Sequence, residues 1–457
     1  MLGLTNIFKY KKSTLLFILV SAIFYLWFAY DLVRTDILKL VLLYIALFIF
    51  AFRIIKTSGF YFRILVITAI LFRLLFLFAI PNLSQDFYRF IWDGRMILEG
   101  FNPYLFTPDS FINNNEFPVA HAQELYKGMG SLSSSHFTNY PPINQLCFVI
   151  GNLFPGKSIL SSVIGMRLLI IAADLGTLYF GKKLLERLKL PSNRIFWYIL
   201  NPFIIIEFTG NLHYEGVMIF FLVWSLYLLY SKNWQWAAVI FSCSISVKLI
   251  PLMFLPLFFW WFTKKQELVA SIKKLILFYA ITIFTVLVFF LPFFSMEFIN
   301  NYSKTVGLWF GNFEFNASIY YIARGIGYSI TGYNEIAIIT RFLPIISVLI
   351  ILGFSLFKKN ITIPKLVTSI LLAFTCYLFL STTVHPWYVG TLVALCVFTN
   401  YRFPLIWSLV IILSYLSYSG IGTSDKSENL WIIGLEYFLV FSAFIWEVIL
   451  KKRLPFL

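Results

Sequence analysis

Residues 84–104 read SQDFYRFIWDGRMILEGFNPY and lie between long apolar segments, yet they carry Asp86, Arg89, Asp93, Arg95 and Glu99. At about 100° per residue, Phe87, Phe90, Ile91, Ile97 and Leu98 fall on one side of a helix. Asp86, Arg89 and Asp93 cluster on an adjacent side through steps of three and four, and Tyr88 and Arg95 make a third patch. The pattern predicts an interfacial helix with its apolar face down and its charges turned toward water or a cleft. Gly100, Asn102 and Pro103 end it. A charged helix in so apolar a setting implies the reactive platform of a membrane-embedded enzyme.

Working outward, 60% of the chain is hydrophobic, 20% aromatic and only 12% charged. Repeated runs of roughly 20 apolar residues then mean an all-α, polytopic helical membrane protein. The net charge of +16 does not point to nucleic acid. The basic residues sit in short clusters between apolar runs, and no basic groove or nucleic-acid motif accompanies them. Cys147, Cys243, Cys376 and Cys396 all fall inside apolar segments, which is core packing and neither a disulfide framework nor a metal cluster. Lys9, Lys11 and Lys12 precede a long apolar run without a small-residue cleavage site, so it reads as an uncleaved first span.

Candidate spans are 13–33, 37–55, 62–80, 158–181, 194–210, 216–231, 234–250, 251–263, 270–294, 336–357, 363–383, 386–400, 404–420 and 429–450, a bundle of about 13–14 transmembrane helices. Residues 143–155 form a shorter apolar piece, a short span or a re-entrant segment. Basic clusters at Lys9–Lys12, Arg53–Arg63, Lys182–Lys189, Lys264–Lys274, Lys358–Lys359 and Lys451–Arg453 all fall in the cytosol if 143–155 does not cross fully. Both termini are then cytosolic. The platform, NLHYEG at 211–216, NYSKTVGLWFGNFEFNAS at 301–318 and STTVHPWY at 381–388 all emerge on the external face, as a shared site would. The 81–142 loop, the largest extramembrane piece, is too small for its own core, so residues 1–457 read as a single integral-membrane domain.

Asp86 leads the candidates for chemistry. A carboxylate at the membrane boundary beside aromatic surface is partly desolvated and poised as a general base; a helix cap, with Ser84, is its bland alternative. Asp93 and Arg89 either form a structural ladder with Asp86 or aim Arg89 at an anion. His213 and Glu215 follow Asn211 at a helix exit, and their spacing is a turn, not a helical zinc motif. Lys248 interrupts an apolar run before Pro251, and such a lysine faces a cavity or an anion, or pairs with Glu207 or Asp174. His385 opens HPWY, where Trp387 and Tyr388 are either interfacial belt residues or a sugar-stacking platform. Arg167 and Asp174, seven apart on one span, read as a structural pair.

Taken together, DxYRxxWDGRxxxxGxNPY from Asp86 to Tyr104, YPP at Tyr140–Pro142, the turn with His213 and Glu215, VKLIPL at Val247–Leu252, FNAS at Phe315–Ser318 and HPWY at His385–Tyr388 resemble the GT-C superfamily. The chain looks most like its bacterial polyprenyl-phosphate-mannose-dependent mannosyltransferases, over most of the stretch from Asp86 to Tyr388. The resemblance implies a plasma-membrane enzyme of the cell envelope with its site on the external face. Such an enzyme passes a hexose from a polyprenyl-phosphate donor to a glycan or lipid acceptor by inverting displacement. Asp86 is then the base, and Arg89, Arg95, Lys248 and His385 hold the donor phosphate. Tyr88, Asp93, Asn211, His213, Glu215, Asn316, Trp387 and Tyr388 are left for sugar and acceptor. The donor's phosphate is its own leaving group and no tight DxD motif is present, so neither a cofactor nor a metal is expected. The alternatives are a lipid-linked-sugar flippase and a non-catalytic subunit of an envelope assembly.

Overall fold

The computed structural model describes residues 12–58, 61–263, 267–311, 313–419 and 428–454. Lys9 and Lys11 of the first basic cluster, and Lys264 and Lys265 of the fourth, lie outside them. Among the described residues every regular element is helical, and β pairing is limited to one bridge between Phe315 and Thr383. The protein is a polytopic all-α membrane protein.

Seven helices are long and apolar enough to cross a bilayer: Lys12–Tyr30, Ile37–Thr57, Ile159–Arg187, Leu268–Phe293, Ile336–Phe357, Ile363–Leu380 and Leu430–Ile449. Among the described residues the other seven expected spans form shorter or broken apolar helices, one bent pair among them, so about half of the expected spans are single full-length helices. Hydropathy registers apolar length but not the breaks within it. Pro251, Pro256, Pro386 and Pro404 interrupt or restart these segments, because proline supplies no N–H to the preceding turn. The 62–80 segment stops being helical at Leu74.

Chain order begins with α1 (Lys12–Tyr30), α2 (Ile37–Ser58) and α3 (Phe62–Leu74). Between α3 and the next full span lie α4 (Asp86–Leu98), α5 (Pro108–Ile112), α6 (Ala122–Ser134) and α7 (Pro142–Asn152); that span is α8 (Ile159–Arg187). At 11 residues, α7 reaches about 16 Å, roughly half a hydrocarbon core, so 143–155 is not a full crossing.

The expected interfacial pose of α4 is also corrected. Nine of its 13 residues are buried, Arg89, Asp93 and Arg95 among them, because α6 and α7 pack over the side that was to face water. Gly94 permits this: a Cβ there would stand 2.4 Å from the Asn152 amide and 2.7 Å from the Phe148 backbone. Gly100, at φ +84, closes the helix where the sequence predicts, with Phe101 N donating to Met96 O at 2.9 Å.

Arg167 and Asp174 do not pair. Asp174 accepts from Arg73 Nε at 2.8 Å, both side chains being 1% exposed. Arg167 instead donates to the carbonyls of Leu77, Ala79, Thr209 and Gly210 at 2.7–3.0 Å. That fan of bonds ties the entrance of the external loop to the break in the next bent helix. It fixes which ends of the bundle meet.

Candidate functional site

The bent helix supplies the centre. Pro202–Gly210 and Glu215–Tyr230 meet at 115°, and between them Leu212 takes the left-handed conformation at φ 63. Irregular backbone at such depth persists only where protein or a cavity covers it. Asn211 does the covering: its Oδ1 accepts from Leu83 N at 3.1 Å and its Nδ2 donates to Ile206 O at 3.2 Å. In this structure it holds the platform entrance against the break.

Across from the break, the Trp234–Val247 helix ends and Lys248 turns extended, at φ −146 and ψ 140. Its ammonium pairs with Glu215, which is fully buried, so the partner is neither Glu207 nor Asp174. The same ammonium lies 5.5 Å from the Tyr388 ring centre and 6.0 Å from that of Trp387. Glu207 accepts from Tyr415 OH at 2.9 and 3.0 Å, with His213 Nε2 3.6 Å away.

HPWY completes one wall as a column of rings. Trp387 stacks on His213 at 3.7 Å and on His385 at 4.6 Å, and His385 stacks on Phe315 at 5.3 Å. Phe315 is seated by its bridge, accepting from Val384 N at 2.8 Å and donating to Thr382 O at 3.0 Å. The NLHYEG, FNAS and HPWY segments, far apart in the chain, thus share one face of one wall. Asn316 does not join it. It is fully buried, its Nδ2 on Glu436 at 3.1 Å and its N–H on Glu428 at 2.8 Å, a tie to the C-terminal span.

Asp86 stands at the mouth, half-buried, its N–H bonded to Ser84 Oγ at 3.3 Å. Burial pushes its carboxyl up to about 6. Lys248 and Arg34 pull the other way, Glu215 adds to the rise, and the Ser84 hydrogen bond opposes it. The Lys248–Glu215 pair and Arg34 are thus the charges within electrostatic reach of Asp86. His385 is driven down to about 3, first by burial and then by the Lys248 charge. It is a neutral donor or acceptor at neutral pH, not the cation expected for a phosphate.

Four other expected site residues belong to the scaffold. Arg89 donates to Asp93 at 2.7 Å and to the carbonyls of Ser133 and His136 at 2.6 and 2.9 Å; Asp93 also accepts from Gln145 at 3.2 Å. Arg95 spreads over Asn152, Ser162 and the carbonyls of Ala120, Lys157 and Ser158 at 2.5–3.2 Å. A buried guanidinium committed to so many acceptors has little left for a substrate. Tyr88 turns toward α6, where its ring lies against Gly128. In the sequence these charges look like a reactive cluster because helical spacing cannot tell a cleft from a helix–helix contact.

Two groups at the site escape the sequence reading. Arg34 lies in the short turn between the first two spans, between Asp31 and Asp36 and five residues before Lys39, and a charged turn of that kind was the available signal. Tyr140, marked in the sequence only as part of YPP and given no role there, packs edge-on to Phe90 at 5.1 Å and lies within electrostatic reach of Asp86 and Glu215. Among the described residues no three of His, Cys, Asp and Glu gather as a metal-ligand set.

A carboxylate raised toward neutrality, a half-buried ammonium and a ring-lined wall at one end of a membrane bundle fit a polytopic glycosyltransferase. Residues 17–264 match the family model of the MptA_B family, described as alpha-(1->6)-mannopyranosyltransferase, N-terminal domain. That is more than half of the 457 residues; the chain belongs to this family and is a mannosyltransferase. No curated protein matches the chain. Membership supports mannosyl transfer, not the flippase or the non-catalytic subunit. The match takes in Asp86, Glu215 and Lys248, and HPWY lies beyond it.

Proposed function

We propose that this enzyme passes mannose from a polyprenyl-phosphate donor to a hydroxyl of an external glycan or lipid, in one inverting displacement. Asp86 accepts the proton of the acceptor hydroxyl as that oxygen bonds to the anomeric carbon. The bond from that carbon to the phosphate oxygen breaks, and polyprenyl phosphate departs with both electrons. Inversion at a β-linked donor yields the α linkage in the family's description.

The observation that carries this reading is the grouping of Asp86 with the Lys248–Glu215 pair and Arg34. A base that titrates near 6 is mostly ionised at neutral pH yet still takes a proton readily. Lys248 has three N–H donors and Glu215 holds one, so the others serve the developing phosphate charge. Arg34 adds to the positive field. Arg89 and Arg95 have no part in it. Trp387, Tyr388 and neutral His385 offer ring faces and hydrogen bonds to sugar hydroxyls. Because the chemistry draws on both halves of the chain, we read residues 1–457 as one catalytic domain. We assign it to the plasma membrane, with cytosolic termini and the site outside.

The deciding experiment is an assay of purified protein with radiolabelled polyprenyl-phosphate mannose, wild type against Asp86→Asn. Transfer by the wild type alone, with an α-linked product, is expected. Equal turnover by the two proteins discards the mechanism.

A further inference from the structure

The helix Ile363–Leu380 leads away from the ring wall: its C-terminal end runs into Thr383 and the bridge to Phe315. With 18 residues it is about 27 Å long, so its N-terminus stands at the other end of the bundle. There the structure has a cavity of about 470 Å³ whose lining includes Lys358, Lys359, Lys365, Asn360 and Thr399.

Three features give this cavity one sign of charge. Among the described residues, no carboxylate pairs with any of the three lysines. Behind the lining, Arg194 and Arg402 both donate to the carbonyl of Thr399, at 3.4 and 3.2 Å, and Glu447, outside the lining, accepts from the Arg402 and Phe403 N–H groups and offsets one of the two charges. The first turn of the Ile363–Leu380 helix opens here too, and Thr362 gives it no side-chain cap. Pro364 takes one N–H out of that turn, and the positive end of the helix dipole still favours an anion. A topology signal needs lysines near this end of the spans, but it needs neither a cavity nor a fixed floor. The floor here is fixed: Asn360 is buried, donating to Leu257 O at 3.2 Å and accepting from Ser369 Oγ at 2.7 Å. Apolar Leu190, Pro364 and Phe398 complete the lining, as suits a group that arrives on a hydrocarbon chain.

We propose that this cavity binds a phosphate ester, at the end of the bundle opposite the Asp86 site. The headgroup of an anionic phospholipid and a soluble sugar or glycerol phosphate share the required chemistry. Lys358, Lys359 and Lys365 hold the phosphate oxygens, and the dipole of the helix that starts at Ile363 adds to their field. The assignment is independent of the transfer reaction.

The test uses the full-length protein in detergent, followed by thermal unfolding and by native mass spectrometry. Phosphatidylglycerol, phosphatidylethanolamine and glycerol 1-phosphate are titrated in separate arms. Retention of phosphatidylglycerol over phosphatidylethanolamine identifies a lipid headgroup; competition by glycerol 1-phosphate at millimolar concentration identifies a soluble ester. Either outcome supports the site. The variant carrying Lys358→Gln, Lys359→Gln and Lys365→Gln should bind the preferred ligand at least about tenfold more weakly. Its mannosyl transfer, assayed with the same donor, shows that it is folded. Absence of any phosphate preference in the wild type, or equal binding by a folded triple variant, overturns the proposal.

Discussion

Asp86 is the residue whose chemistry and stability pull in opposite directions. Its carboxyl is raised from 3.8 to about 6, so between those values the folded state holds a proton that the unfolded chain has released. Folding stability therefore falls as pH rises from about 4 to about 6, and at neutral pH the buried charge costs on the order of 1–3 kcal/mol. Asp86→Asn should cut transfer by about 10²–10⁴-fold, the usual worth of a general base. It should leave the melting temperature unchanged or higher at pH 7. A variant that loses both activity and stability would mark Asp86 as a mere cap. For the wild type, kcat/KM should fall about tenfold per pH unit below about 6, as the base is protonated; a flat profile down to pH 5 would remove Asp86 from that role. Lys248 offers a separate test, because Glu215 is buried against it. Lys248→Met leaves that carboxylate uncompensated and should cost about 3–5 kcal/mol. Adding Glu215→Gln should restore much of the melting temperature without restoring transfer, since the phosphate loses its cation either way.

At the scale of elements, the WDGR turn of α4 is where sequence and structure part most clearly. Period and termination were legible: the apolar positions repeat as a helix requires, and Gly100 ends it in the left-handed conformation. The partner was not, because residue spacing on one helix carries no record of what packs against it. Arg89 and Arg95 are bolts through α6, α7 and the start of α8, and Gly94 is the gap that lets the bolts close. Gly94→Ala would push a methyl group to 2.7 Å from the Phe148 carbonyl, where backbone cannot yield as a side-chain tip can. A loss of about 1–3 kcal/mol is expected, read as a lower melting temperature, with transfer falling only as the folded fraction falls. Stability equal to wild type would show that α4 and α7 are held less closely than the structure has them.

For the whole molecule, orientation gives the sharpest check. Glu116 lies exposed in the long loop that carries the platform, and Glu186 lies exposed near the Lys182–Lys189 cluster. In intact cells an impermeant thiol reagent should label Glu116→Cys, and it should reach Glu186→Cys only after permeabilisation. The reverse pattern would turn the site toward the cytosol and end the external assignment. Composition and the length of the apolar runs were enough for a polytopic helical bundle, because transfer of apolar side chains into lipid is a nearly additive property of the residues. Motif residues likewise named the right segments for one wall. Which side chains turn into that wall depended on contacts between helices far apart in sequence. Lys248 met Glu215 and not Glu207, His213 met Trp387, and Arg89 met the loop at Ser133 and His136. Pairing is decided by where breaks such as 211–214 bring chain ends together. A break's angle is fixed by the tertiary bonds that satisfy its backbone, here those of Arg167 and Asn211.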